Sequence, residues 1–293
     1  NYILTRMKLE GAAFGDVLAD AQRLGYAEAE PSLDVDGHDA AQKTGLLASL
    51  AHGFWVRPEQ VATEGIRQVT QVDMRFAAQL GYTIKLLGVV KVLPAMPPTT
   101  SPKPSARRGK PGSRPAAPAI QVAVYPALVP DRHVLASVNH AFNAIAVRGD
   151  VVGDTLFYGR GAGAEATASS VLSDLADAAL DLKHGSHDRV PAFVAHAPAS
   201  RIAPPEQVAS RFYVRLTAID RPGVFASIAG VLGRSGISIS SIIQPEGRQG
   251  DTIPVILMTH EASLAGMHRA LGRIARLGVV RDHPVMMRVE TFD

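Results

Sequence analysis

The sequence predicts an α+β protein: a mixed-sheet domain over residues 1–195, a linker at 196–208, and a ferredoxin-like βαββαβ unit over 209–293. Three observations carry this. After residue 208, apolar alternation of period two and apolar stripes of period 3.6 succeed one another in the order β, α, β, β, α, β. Between residue 82 and the linker, strand patterns mostly follow one another without an intervening helix, which argues against a doubly wound parallel sheet. The 293 residues, 46% hydrophobic and 19% charged, are also enough to bury two separate cores.

In chain order, helical patterns cover Asn1 to Lys8, Phe14 to Leu24 and Asp39 to Ala51. Strands are expected at Thr83 to Val92, Ile120 to Tyr125, Asn143 to Arg148 and Thr155 to Tyr158, then a helix from Ala164 to Leu182 and a short strand at Val190 to Ala195. Between the first two strands, residues 93–119 hold eight prolines among Ser, Thr, Ala and Gly, a composition that cannot offset its ordering entropy, so this tract is read as a disordered insertion. In the C-terminal unit, Phe212, Val214, Leu216 and Ala218 alternate as a strand. Asp220-Arg221-Pro222-Gly223 then opens a helix striped with Val224, Ile228, Val231 and Leu232. Ile237, Ile239 and Ile242 form the second strand and Ile253, Val255 and Leu257 the third. Leu264, Met267, Leu271 and Ile274 stripe the second helix, and Val285, Met287 and Val289 close the unit.

Composition narrows the function classes. The formal charge of +3 is local: Lys103, Arg107, Arg108, Lys110 and Arg114 stand in the Pro-rich tract without an acid, and removing those five leaves the rest at −2. With no aromatic interleaved, the tract reads as a solvated linker rather than a nucleic-acid surface. The absence of cysteine excludes disulfides and thiolate chemistry and suits a reducing, cytoplasmic setting. No apolar run approaches a membrane span, since Lys85 and Lys91 interrupt the longest. The histidines show no metal-binding spacing, and no G-x-S-x-G nucleophile motif occurs, so neither a metal centre nor serine hydrolysis is expected.

Three constellations could carry chemistry. Between Glu28 and Lys43, five carboxylates precede one lysine, and Asp39 and Lys43 stand at i and i+4 on a helix that Asp36 can cap. A lysine held charged by carboxylates suits a proton donor, or a cage for an amino-acid substrate. The alternative is a helix-surface ion pair of about 0.3–0.5 kcal/mol. The apolar Leu46, Leu47 and Leu50 just beyond place this cluster where a buried helix should emerge. At Tyr158-Gly159-Arg160-Gly161-Ala162-Gly163-Ala164 a strand runs into a helix through three glycines, but the strand expected after it ends without the acid a dinucleotide fingerprint needs. A tight turn whose backbone approaches a ligand fits better. Asp220 to Gly223 is either a small-carboxylate site at a helix N-terminus or a turn that needs Pro and Gly for backbone reasons alone.

The strings Asn1-Tyr2-Ile3-Leu4-Thr5-Arg6-Met7, Ala21-Gln22-Arg23-Leu24-Gly25-Tyr26-Ala27-Glu28, Asp34-Val35-Asp36-Gly37-His38-Asp39-Ala40-Ala41-Gln42-Lys43 and Phe157-Tyr158-Gly159-Arg160-Gly161-Ala162-Gly163 resemble successive motifs of homoserine dehydrogenases over residues 1 to about 195. The βαββαβ unit, with Asp220-Arg221-Pro222-Gly223-Val224-Phe225, resembles an ACT domain, a small-molecule sensor. The resemblance implies interconversion of aspartate semialdehyde and homoserine with NAD or NADP, feedback control through the ACT unit with threonine as a possible ligand, and a homodimer or homotetramer. It further implies Lys43 as proton donor, Asp34 and Asp39 as its positioning carboxylates, Glu28 and the Gly25 backbone at the substrate's amino end, and Gly161 and Gly163 at the nicotinamide side. Asp220, Gly223 and Ile237 would surround the regulatory amino acid. The family's nucleotide-binding domain is expected to precede Asn1, so that the chain alone would be inactive and the helix starting at Asn1 would expose an apolar face. The rival reading is a non-catalytic, amino-acid-binding regulator in which residues 1–195 form a dimerising platform.

Overall fold

The computed structural model describes residues 1–93, 119–161, 163–186, 201–248 and 250–292. Residues 94–118 of the expected Pro-rich insertion and the strand expected at Val190–Ala195 lie outside them. The N-terminal part runs α1 (Tyr2–Glu10), α2 (Phe14–Arg23), α3 (Ser32–Val35), α4 (His38–His52), β1 (Ala62–Thr63), α5 (Gln71–Gln79), β2 (Tyr82–Val92), β3 (Ala119–Pro130), β4 (Phe142–Gly149), β5 (Gly153–Arg160) and α6 (Ala164–His184). After β6 (Arg201–Ile202) come β7 (Ala209–Ile219), α7 (Val224–Arg234), β8 (Ile239–Ile243), β9 (Thr252–Thr259), β10 (Ala262–Ser263), α8 (Leu264–Ile274) and β11 (Val285–Val289).

The long strands β2 and β3 form the backbone of the N-terminal unit. They pair antiparallel from Tyr82↔Pro130 to Val92↔Ile120. Ile3, Leu4 and Met7 of α1 pack with Val17 and Ala21 of α2 and with Met74, Phe76 and Ala77 of α5, each large side chain so buried contributing about 1.5–3 kcal/mol. The apolar face expected to be exposed on the first helix is therefore covered by the chain's own α2 and α5. Helix α5 escaped the periodicity reading because it is only nine residues long; its signal was the Thr70-x-x-Asp73 capping box.

The C-terminal unit is a four-stranded sheet in the order β11-β7-β9-β8, antiparallel throughout, with α7 and α8 contributing to its core. This is the strand order of a ferredoxin-like βαββαβ unit. The two units are not independent sheets. β11 pairs in parallel with β3 at Arg288↔Ala127 and Val289↔Leu128, which fuses both into one nine-stranded sheet. The segment expected as a linker contributes too: β6 pairs with β3 at Ile120↔Ile202, and Ala203 and Val208 are buried.

Polar pins reinforce the junction. The fully buried Asp73 of α5 accepts from the Tyr213 hydroxyl at 3.0 Å and from Arg215 Nε at 2.8 Å, both on β7, while its second oxygen caps α5 through Thr70. Burial, and then the Asp73 carboxylate, push the Tyr213 phenol well above its usual range. On the other side Arg288 of β11 donates to Glu64 Oε1 at 2.9 Å and lies 4.0 Å from the centre of the Tyr125 ring, whose hydroxyl donates to Glu290 at 2.7 Å. In contrast, β4 and β5 form a separate two-stranded hairpin, and no residue of α6 is buried. Among the described residues no helix is long and apolar enough to cross a membrane.

Candidate active site

The turn between α3 and α4 owes its position to two glycines. Gly37, the N-cap of α4, has φ 83°, and a Cβ there would press to 3.2–3.3 Å on Val124, Thr63 and the Glu64 carbonyl. At Gly65 a Cβ would collide with the Val35 carbonyl and Asp36 Cα, so only glycine lets the 64–67 loop lie this close. The Ile66 amide donates to Val35 O at 2.8 Å across the same contact. Asp36, expected to cap α4, does not do so: the N-cap falls on Gly37, and the Asp36 carboxylate takes a bidentate pair from Arg67 at 2.6 and 3.0 Å instead. The Arg67 hydrogen bonds hold the Asp36 carboxyl below its usual range, and Ser32 does the same for Glu30.

Helix α4 carries the central pair. Lys43 Nζ stands 2.7 Å from Asp39 Oδ2, one turn apart and open to solvent. The opposite face of the helix is small: Ala41, Thr44, Gly45, Ala48 and Ser49 are buried, and Gly88 of β2 has no Cβ because Thr44 Oγ1 occupies its place. That close approach corrects the expectation for Leu46, Leu47 and Leu50. These leucines lie on the solvent side with Lys43, between 42% and 60% exposed.

Two further elements meet this turn. Gly25, at φ 72°, turns the chain out of α2, and Gln22 Nε2 donates to the carbonyls of Glu28 and Ala29, leaving the Glu28 side chain exposed. Asp34 is half-buried. Asn1 Nδ2 donates to the carbonyls of Val138, His140 and Phe142 at 2.8–3.3 Å. The Ala141 carbonyl of that loop accepts from Gly161 N at 3.0 Å, and Asn143 fills the space a Cβ on Gly161 would need. Gly163, with φ 113°, is the N-cap of α6, where a Cβ would meet open space. Asn1 and Gly161 thus both hold to the 138–142 loop.

Sequence reasoning singled out neither Asn1, Arg67 nor Lys85. Lys85 is 5% exposed and donates to the Val138 carbonyl and to Asn139 Oδ1 at 3.1 Å; burial lowers its pKa to about 8. Its one sequence signal was a lysine inside an apolar strand. Nothing local to Arg67 announces its partner, which is 31 positions away.

In the C-terminal unit, Asp220 exchanges backbone hydrogen bonds with Asp251 and Gly250 at 2.8 Å and accepts from Gln244 Nε2 at 3.3 Å. Gly223 is the N-cap of α7 at φ 83°, with open space where a Cβ would go, so strain rather than crowding selects glycine there. Ile237 is 4% exposed in the core, which leaves its backbone as the part able to meet a ligand. Among the described residues no group of three His, Asp or Glu side chains is placed to hold a metal ion.

Comparison with known proteins covers the same two units. A profile described as homoserine dehydrogenase matches residues 1–176, and one described as ACT domain matches residues 212–278. A homoserine dehydrogenase of Pseudomonas aeruginosa is 41% identical over all of this chain, which spans 63% of that protein; one of Synechocystis is 40% identical over 99% of the chain and is likewise spanned to 63%. The crystal structure of a homoserine dehydrogenase from Thiobacillus denitrificans superposes with a TM-score of 0.83 at 40% identity, covering 100% of this chain and 62% of its own. The chain therefore spans somewhat less than two thirds of the relatives it matches. With the family profile and similarity across the whole of this chain in agreement, the chain belongs to the homoserine dehydrogenase family and carries an ACT domain in its C-terminal part.

Proposed function

We propose that this chain forms the substrate-binding and regulatory portion of an enzyme that interconverts aspartate semialdehyde and homoserine. The observation that carries this reading is the Lys43–Asp39 pair at 2.7 Å on the solvent face of α4, one short turn beyond Asp34. Lys43 is a donor-only cation held by one carboxylate, and it donates a proton to the aldehyde oxygen as the carbonyl carbon is reduced. Asp39 aims the ammonium, and Asp34 orients the substrate from the preceding short helix. Glu28, exposed after the turn at Gly25, takes the substrate's ammonium group together with the backbone of that turn.

A nicotinamide cofactor, NAD or NADP, supplies hydride when bound. The backbone around Gly161 and Gly163 suits contact with its nicotinamide end, because Asn143 excludes a side chain at Gly161 while the N-terminus of α6 is open at Gly163. No element between Asn1 and Phe292 among the described residues offers a Gly-rich βαβ cradle for the rest of the cofactor. A nucleotide-binding domain contributed by a longer form of the protein fills that role in this proposal, and the chain by itself does not catalyse. The exposed apolar side chains of α4, the hairpin and α6 support burial against such a domain or against further copies in a dimer or tetramer. The ACT unit senses an amino acid such as threonine at Asp220, Gly223 and the Ile237 backbone.

In the chain completed with the nucleotide-binding domain of the Pseudomonas relative, Lys43→Ala should lower kcat by about 10² to 10⁴, whereas Glu28→Ala should chiefly raise KM. Near-normal kcat for Lys43→Ala would remove the proton donor from this scheme. Calorimetric titration of the 293-residue chain with NADPH and NADH should show no saturable binding.

A further inference from the structure

The fused sheet contains a fork. β1 occupies the edge of β3 at Ala123 and Val124, and β11 joins the same edge only at Ala127 and Leu128. From Met287 back to Val285, β11 has moved away from β3 and is paired with β7 alone. The 64–69 loop lies in the mouth of the fork, and the gap it leaves is a cavity of about 310 Å³ walled by Val69, Pro126, Val285 and Met287. A second cavity of about 590 Å³ opens outward along α8. Both are lined by Glu64, Gln68 and Met286, so together they form one groove of small-ligand size.

The two ends of the groove differ in chemistry. His268 and Gly272 stand one turn apart on α8 and, with His283 and with Arg276 just past the end of that helix, line the outer wall, where Arg276 supplies a fixed positive charge. Glu64, whose Oε1 is engaged by Arg288, lines both cavities. The inner lobe is apolar on its strand side, where the β11 backbone from Val285 to Met287 has no strand neighbour toward β3. At Gly272 a Cβ would meet open space, so the groove is kept wide by an absent side chain and not by a backbone requirement.

We propose that this groove is an amino-acid site distinct from the turn at Asp220 and Gly223, selective for an aliphatic α-amino acid. The carboxylate sits on the basic wall at Arg276, the ammonium faces Glu64, and the aliphatic side chain enters the lobe between Val69 and Val285. The inner lobe ends on the Asp36–Arg67 pair, so an occupant there touches the turn that launches α4 and its Lys43. This assignment stands on the groove alone, whether or not the α7 end binds a ligand.

The test is calorimetric titration of the 293-residue chain with L-isoleucine, with isoleucinamide as the probe that lacks the carboxylate. L-isoleucine should bind saturably and the amide should not. Arg276→Gln should weaken binding by about tenfold or more, as expected for loss of a charge-assisted hydrogen bond. Gly272→Leu, whose Cβ meets nothing within 4 Å, should abolish it, and Gly223→Asp should leave it unchanged. Circular dichroism and thermal melting establish that each variant is folded. Absence of saturable binding would overturn the assignment. So would binding that survives Gly272→Leu or disappears in Gly223→Asp, the latter moving the amino acid to the start of α7.

Discussion

The junction between the two units and the hairpin–α6 region both carry large apolar side chains, yet only one of them is packed. At the junction Tyr213, Met287 and Val289 share a core with Leu4 and Phe76, and Asp73 is enclosed with both oxygens engaged. In the hairpin Phe157 and Tyr158 are more than half exposed, and on α6 so are Val171, Leu172 and Leu175. The hairpin is tethered at a few points, by Asn1 to the Phe142 carbonyl and by Arg148 to the Phe292 carbonyl at 2.6 Å. Apolar content by itself therefore does not locate a core. What decides is whether a second apolar face of matching shape belongs to the same chain.

The sharpest way to break the contrast is at Asp73. Asp73→Ala strands Arg215 and the Tyr213 hydroxyl and uncaps α5, so it should cost about 3–5 kcal/mol, the usual range when one partner of a buried ion pair is removed. Urea unfolding followed by circular dichroism would measure it, and a cost below about 1 kcal/mol would mean that the junction is held by the sheet alone.

A smaller effect is expected at the site turn, and it has a pH signature. Arg67 depresses the Asp36 pKa in the folded chain, so the pair stabilises above the unfolded value near 3.8 and the benefit is lost as pH falls through the lower folded value. The thermal midpoint of Arg67→Met should therefore lie below that of the parent between pH 5 and 7 and converge with it toward pH 2. A difference that persists at pH 2 would point to lost packing rather than lost charge.

The smallest effect belongs to the exposed region. Leu172→Gln and Leu175→Gln should each change the stability of this chain by no more than about 0.5 kcal/mol, as for surface positions generally. A destabilisation like that of a core leucine would show that α6 packs in solution on something in the chain itself.

The sequence was most legible where periodicity and burial coincide. The C-terminal strands and helices fall within two or three residues of their expected bounds, because their apolar residues recur at the period of each element. It misled at α4, where the buried face is made of Ala41, Thr44, Gly45 and Ala48 and the leucines point outward; small residues allow close helix–sheet packing, and a count of apolar side chains does not register that. The acidic cluster was legible as a charged cluster, and the Asp39–Lys43 spacing gives the observed pair. Arg67 and Asn1 were not legible as part of that surroundings, since their partners are distant in the chain, and the β3–β11 pairing was hidden for the same reason.

That last pairing also orders events during synthesis. Ala127 and Arg288 stand about 160 positions apart, so the edge of β3 that β11 will occupy remains bare until β11 has emerged, long after β2 and β3 can have paired. An uncovered, strongly apolar strand edge is the surface on which nascent chains join one another. A polypeptide interrupted before Val285 keeps that edge of β3 unpaired even when β2 and β3 have joined, and it is open to aggregation there.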